Sequence, residues 1–418
     1  MNILLYGLNY APEPVGIGKY SGELASWLAA RGHSVRVITA PPYFPAWQIA
    51  AGHHNRFSLE QREGVRVRRC PLWVPRQPSG LKRLLHLASF ALSSLGPLLL
   101  QRRRRPDVVI TVAPAFFCAP AALWLGRLWG SRTFTWLHIQ DFELDAAFEL
   151  GLLKGRLLRS LAETWERRTL RSFDRVSSIS TAMVQKLGTK GVAPSRSLLL
   201  PNWVDLDAIC PQLGSARQEN SYRREFGITP DQIVLLYSGS MNKKQGLEML
   251  AEVIQCLSAQ PNLVWLLAGE GPTKAELIQA TAGLPQVRHL PLQPAARMDD
   301  WLNAADIHLL PQKAGAADLV LPSKLLGILA SGRPLVASSP EGSELALLAG
   351  QAGRCVPPGD AAAFADALQE LIENAELRAQ CGRLARQLAE EHFGQDAVLK
   401  RFEQQLLDEH LRRQLRTR

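Results

Sequence analysis

The sequence predicts an α/β protein made of two successive doubly wound domains. Three observations predict it. A chain of 418 residues exceeds what one ordinary hydrophobic core accommodates. Short apolar runs bounded by turn residues alternate with helix-periodic stretches. The alternation then restarts after "CPQLGSARQENSY", a Pro-, Gly- and Ser-bearing stretch at 210–222 that suits an interdomain linker.

The elements follow in order. "NILLYGL", the loop "NYAPEPVGIGKY", the apolar-periodic "SGELASWLAARG" and "HSVRVITA" predict strand, loop, helix and strand, the crossover that parallel strands need. "PDVVITVA", "RTFTWLHI", "RVSSIS" and "SLLLPN" continue the first sheet. "IVLLYSGS", "LVWLLAGEG", "RHLPL", "DIHLLPQ" and "PLVASS" supply the second. The expected domains are Rossmann-like, spanning 1–209 and 210–394, with a charged amphipathic helix at 395–418 that either caps its own domain or crosses back to the first. A cleft is expected where the carboxyl ends of both sheets face each other.

Composition narrows the partners. Hydrophobic content of 46% with 21% charged residues fits a packed globular chain and excludes wholesale disorder. The net charge of +10 is unevenly spread: residues 1–205 hold 27 Lys and Arg against 13 Asp and Glu, whereas 206–418 hold 21 against 25. The first half is therefore expected to meet an anionic partner, a phosphate-bearing substrate or a membrane surface. No base-reading signature points to nucleic acid. Six cysteines without metal or disulfide spacing suggest a reducing cytoplasm, and "MNILLYGLNY" lacks the pattern of a secretory signal.

Residues 81–105, "LKRLLHLASFALSSLGPLLLQRRRR", join basic ends to an apolar middle broken by His86, three serines and Pro97. That is too broken for a span and suits an interfacial helix whose leucines and Phe90 dip into lipid while Arg102 to Arg105 meet anionic headgroups; a buried crossover helix is the alternative. "FFCAPAALWLGRLWG" at 116–130 is expected to be a core helix.

Candidate site residues lie at strand ends. Gly16 and Gly18, after the first strand, permit close backbone approach to a phosphate or developing anion. The longer dinucleotide fingerprint is absent, and no acidic residue follows the second strand, which disfavours a nicotinamide enzyme. His138 and Asp141 follow an apolar strand in "WLHIQDFELD" and are expected to contact substrate. "YSGSMNKKQGLEML" offers Gly239, Ser240, Asn242, Lys243 and Lys244 before a helix, a plausible diphosphate cradle. Glu270 in "AGEGP" is placed for a base or ribose. In "VLPSKLLGILASGRPLVAS", Ser323 is expected as N-cap and Lys324 in the first helical turn, where a cation opposes the helix dipole unless an anion binds there. Gly327 weakens that helix by about 1 kcal/mol relative to Ala, explicable by close ligand approach or by packing.

With these residues in place, the chain resembles the retaining glycosyltransferases of the two-domain GT-B type in family four, over nearly its whole length. The opening "MNILLYGLNYAPEPVGIGKYSGELASWLAARGHSVRVITAPPYFP", "PNWVD" and "PSKLLGILASGRPLVA" look like those of members that assemble colanic acid and related exopolysaccharides. The resemblance implies transfer of a sugar from a nucleotide-diphosphate donor, GDP-fucose being one candidate, to a lipid-linked oligosaccharide acceptor. It places the protein peripherally on the inner face of the cytoplasmic membrane. It assigns Gly16 and Gly18 to the glycine loop near donor phosphate and acceptor, His138 to a histidine near the reacting sugar, and Asp141 to the adjoining acidic position. It leaves the phosphate role divided among Lys243, Lys244 and Lys324. Ser240 stands where the family often carries Arg. The family's two glutamates, seven residues apart, are replaced by Leu319 and Gly327, leaving Asp318 and Glu344 as the nearby carboxylates. Cationic side chains and helix amides would stabilise the leaving diphosphate, so no metal or other cofactor is expected. A non-catalytic assembly protein with a degenerate donor site and a nucleotide-sugar epimerase are the rival readings.

Overall fold

The computed structural model describes residues 1–14, 16–77, 79–113, 116–130, 133–142, 156–314 and 321–416. The chain divides into two compact units, Met1–Pro201 together with Leu399–Arg418, and Asn202–Val398. Asp318 and Leu319 lie outside the described residues.

In the first unit the strands are β1 (Asn2–Gly7), β2 (Ser34–Thr39), β3 (Ser58–Arg62), β4 (Val65–Arg69), β5 (Val108–Ala113), β6 (Phe134–Ile139), β7 (Arg175–Ser178) and β8 (Ser197–Leu199). They form one sheet in the order β3-β4-β2-β1-β5-β6-β7-β8. All neighbours are parallel except β3 and β4. The central strands read as near-continuous apolar runs because helices cover both faces. β3 and β4 escape that rule: the Arg-rich "SLEQREGVRVRR" does not look like a strand pair by hydrophobicity. Its hairpin is set by Glu63 and Gly64, both at positive φ, with Arg62 opposite Val65.

The second unit holds β9 (Ile233–Ser238), β10 (Leu263–Ala268), β11 (Val287–Leu290), β12 (Ile307–Leu310), β13 (Leu335–Ser338) and β14 (Gly353–Val356). Their order β11-β10-β9-β12-β13-β14, parallel throughout, reverses direction between β9 and β12. Ligands of doubly wound sheets bind outside the carboxyl ends of the strands at such a reversal.

One expectation about organisation is corrected, and of the two placements expected for the C-terminal helix the one against the first unit is found. The stretch 210–222 is not a linker: Tyr222 and Asn220 are buried in the second unit, and Asn220 Nδ2 donates to the Asp300 carbonyl. Pro, Gly and Ser here make two short capped helices, Ser215–Gln218 and Ser221–Glu225. The C-terminal helix Gln395–Arg416 packs on the first sheet from Leu399 onward. There Phe402 meets Trp136 edge-on at 4.8 Å, and Glu403 pairs with Arg31 at 2.8 Å and lies 2.9 Å from His33 Nε2.

Helices α1 (Gly16–Ala30), α2 (Gly80–Leu100) and α3 (Ala119–Leu128) flank the first sheet. α2 runs unbroken for 21 residues with Pro97 inside it, and by length and composition it could cross a membrane. Phe90, expected to dip into lipid, is instead fully buried with Leu98 and Tyr6, and Ser94 Oγ lies 2.7 Å from Tyr6 Oη. The outward face carries Leu81, Leu85, Leu92, Leu95 and Leu99, all exposed. Their spacings of 4, 7, 3 and 4 residues place them on one helical stripe. α3 is amphipathic rather than wholly core: Ala122 and Leu125 are buried, whereas Trp124 and Leu128 are exposed.

Candidate functional site

The second unit gathers its polar candidates at the β9–β12 reversal. Lys324 lies in the first turn of the helix Ser323–Ala330, which follows β12. Its ammonium Nζ donates to Tyr237 Oη at 3.2 Å and to Gln245 Oε1 at 2.8 Å, and sits 4.3 Å from the Tyr237 ring centroid. Among the described residues no carboxylate pairs with it. Burial without a counter-charge lowers its pKa to about 7.

Gly239 makes this approach possible. Its φ of 142° is a region L side chains rarely adopt, and a Cβ there would stand 3.2 Å from Lys324 Nζ. Tyr237 Oη donates onward to the Ser240 carbonyl at 2.7 Å. The next peptide N–H, that of Met241, donates to the Glu270 carbonyl at 2.9 Å, so the loop after β9 is fixed against the loop after β10. Asn242 shapes the turn: its Oδ1 accepts from Lys244 N at 3.0 Å and its Nδ2 donates to Ser240 Oγ at 3.1 Å. Lys243 and Lys244 stand exposed on the turn Lys243–Gln245, whose last residue holds Lys324.

The remaining second-unit candidates are placed differently. Ser323 is not the N-cap: Pro322 occupies that position without a side-chain cap. Gly327 has a packing reason, since a Cβ there would meet Leu302 Cδ1 at 3.0 Å and Ile209 Cδ1 at 3.9 Å. Glu270 is exposed and paired with Lys274 at 2.8 Å. Glu344 opens the helix after β13 and is half-buried, with Ser343 as its cap. Asp205 and Asp207 form an Asp-x-Asp spacing that the expectation of a metal-free site passed over. Asp205 Oδ1 accepts from the Asp207 and Ala208 amides at 2.9 and 3.0 Å, a turn-forming role. Among the described residues no cluster of three or more potential metal ligands occurs.

In the first unit, Gly16 opens α1 exposed and at φ 63°, while Gly18 is buried. A Cβ on Gly18 would fall inside contact distance of the Glu13 side chain. Glu13 is itself buried: Oε1 accepts from the Tyr43 and Phe44 amides, each at 3.1 Å, and Oε2 accepts from Asn9 Nδ2 at 2.9 Å. Desolvation raises its pKa, opposed by those hydrogen bonds. The carboxylate therefore already occupies space beside the start of α1, which disfavours a second anion there.

His138 is not past the strand but within β6, and it is buried. Nε2 accepts from Gln140 Nε2 at 3.0 Å, so the ring proton sits on Nδ1 and donates to Ser177 Oγ at 2.9 Å. Burial lowers its pKa to about 4, leaving the ring neutral at pH 7. Asp141 follows β6 and is exposed.

Sequence reasoning missed Tyr237, Gln245, Glu13 and Ser177. The available signal was a hydroxyl or amide among apolar strand-end residues: "LLYSGS" for Tyr237 and "KKQG" for Gln245.

The chain is similar to known glycosyltransferases. Residues 15–203 match the glycosyl transferase 4-like domain, and residues 232–374 match the glycosyl transferases group 1 domain. The putative colanic acid biosynthesis glycosyl transferase WcaI of Escherichia coli K12 is 42% identical over 411 residues, covering 96% of this chain and 98% of that protein. Among solved structures, sucrose-phosphate synthase from Thermosynechococcus elongatus superposes with a TM-score of 0.75 at 16% identity, covering all of both chains. Anabaena HepE, solved with UDP and glucose, gives 0.65 at 15% identity over 98% of this chain and 100% of its own. WaaG, a glycosyltransferase involved in lipopolysaccharide biosynthesis, gives 0.63 at 16% identity over 96% and 98%.

Proposed function

Since the chain belongs to the GT-B glycosyltransferases, is related to a colanic acid biosynthesis glycosyl transferase and shares its fold with one of lipopolysaccharide biosynthesis, we propose that its second unit holds a nucleotide-diphosphate sugar by the diphosphate and its first unit presents a lipid-linked oligosaccharide acceptor. One observation carries the donor reading. Lys324 is a desolvated cation whose partners among the described residues are neutral, and it sits at the carboxyl-end reversal of a doubly wound sheet. A half-buried, desolvated charge is costly unless a ligand supplies a counter-ion, and a diphosphate does.

The leaving diphosphate is stabilised in this reading by Lys324, with Lys243 and Lys244 on the adjoining turn, and needs no metal for that task. His138, neutral and tautomer-fixed, orients the transferred sugar rather than attacking it. Transfer with retention, and GDP-fucose as the first donor to try, follow from the resemblance of the sequence.

Acceptor delivery is assigned to the outward leucine stripe of α2, lying in the interface of an anionic membrane with the chain on the cytoplasmic side. Insertion across the bilayer would strip His86, Phe90, Ser94 and Leu98 from the first unit's core, so α2 lies on the surface instead. Exposed Lys82, Arg83, Arg104 and Arg105 near its ends supply attraction to headgroups.

The test is incubation of the purified protein with a panel of nucleotide sugars and a membrane lipid extract. A glycosylated lipid product, lost in Lys324→Ala with an unchanged thermal melt, is the expected result. No product from any donor would favour the non-catalytic assembly reading.

A further inference from the structure

We propose that Tyr237 is a positioning residue, one that aims the Lys324 ammonium at the donor diphosphate and leaves one of its three N–H groups for a phosphate oxygen. The inference rests on the donor reading above and assigns a role that the lysine alone does not explain.

Two of the three ammonium donors are taken by Tyr237 Oη and Gln245 Oε1. Both acceptors are neutral, so they fix direction without cancelling charge. A carboxylate in either place would hold the lysine as firmly but would compete with the ligand and repel it. The Tyr237 ring adds a cation–π contact on the same side.

Tyr237 is itself held in place. It is fully buried near the end of β9, and its hydroxyl proton is committed to the Ser240 carbonyl. That leaves a hydroxyl lone pair for Lys324. The Ser240–Met241 peptide is anchored at both ends, by Tyr237 on its carbonyl and by the Glu270 carbonyl on its N–H. Loop, tyrosine and lysine therefore form one preorganised unit, and the reorganisation needed on binding is small.

Tyr237→Phe keeps the ring and its packing and removes only the hydroxyl. Affinity for GDP, UDP and ADP is measured by calorimetry for wild type, Tyr237→Phe, Lys324→Met and the double variant, with thermal melts alongside. Tyr237→Phe should weaken binding of the diphosphate that wild type binds by about five- to tenfold, the scale of one ordinary net hydrogen bond. With turnover established, the same loss should appear in donor KM more than in kcat. In the Lys324→Met background the tyrosine change should have almost no further effect, because its route to the ligand is gone. A tyrosine with a merely structural role would weaken binding equally in both backgrounds. That result, or unchanged affinity in Tyr237→Phe, overturns the positioning role alone. Absence of binding of all three nucleotides by wild type overturns the donor reading, and this inference with it.

Discussion

Affinity for a nucleoside diphosphate should fall steeply as pH rises above neutrality, because the anchoring cation titrates near pH 7. Burial without a counter-charge puts the Lys324 ammonium at about 7 in the free protein. A bound diphosphate favours the charged form and pulls the pKa back up. Binding above pH 7 must therefore take up a proton. The charged fraction of a group with that pKa is about one half at pH 7, about a tenth at pH 8 and about a hundredth at pH 9. Kd should accordingly rise about fivefold from pH 7 to 8 and about tenfold more to pH 9, while the bound pKa stays above that range.

The groups facing the ammonium do not blur this window. Tyr237 is pushed upward by burial, Gln245 does not titrate, and no carboxylate pairs with Lys324 among the described residues. Unfolding does not mimic the effect either. The unfolded chain holds this proton more tightly than the folded one, so the lysine's contribution to stability improves as pH rises from 7 toward the ordinary lysine value. The assay is calorimetry from pH 6 to 9 in buffers of differing ionisation enthalpy, which reads proton uptake directly. Lys324→Arg, charged throughout, should flatten the profile. A flat wild-type profile between pH 7 and 9, or an equal slope in the arginine variant, would refute the reasoning.

Acid should destabilise both units, since His138 and His308 are buried neutral with pKa values lowered to about 4 and about 3, chiefly by desolvation. Their unfolded forms protonate first as pH falls through 6.5, so stability is lost from there downward, about 3 kcal/mol for His138 by pH 4, read by denaturant melts. Gly18→Ala should cost about 1–3 kcal/mol, because its Cβ intrudes on a Glu13 carboxylate whose two oxygens are both tied; equal melts would show that the loop yields freely. Leu85→Glu with Leu92→Glu should abolish sedimentation with vesicles of anionic phospholipid while leaving the melt unchanged, both side chains being exposed on the α2 stripe. Retained sedimentation would remove that stripe as the membrane contact.

Much of the fold was legible because parallel strands buried on both faces must be apolar, and eleven such runs stand between turn residues. β3 and β4 were hidden by their arginines: Arg69 is buried through hydrogen bonds to the Ala11 and Ala40 carbonyls and to Glu60, partners that no local pattern reveals. The stretch 210–222 misled because a capped, packed turn and a flexible linker share the same composition. Lys324 was visible as a cation set against a helix dipole. Tyr237 and Gln245 were not, since their meaning depends on a lysine about eighty positions away in sequence. Glu13 was missed similarly: Gly18 was read as room for a ligand, and the room is filled by the chain's own carboxylate.

A crystal structure with a bound nucleoside diphosphate tests the central claim most directly. Lys324 Nζ should lie about 3 Å from a phosphate oxygen while keeping its bonds to Tyr237 and Gln245. A diphosphate seated away from the β9–β12 reversal, with Lys324 contacting only its present neighbours, would contradict the account.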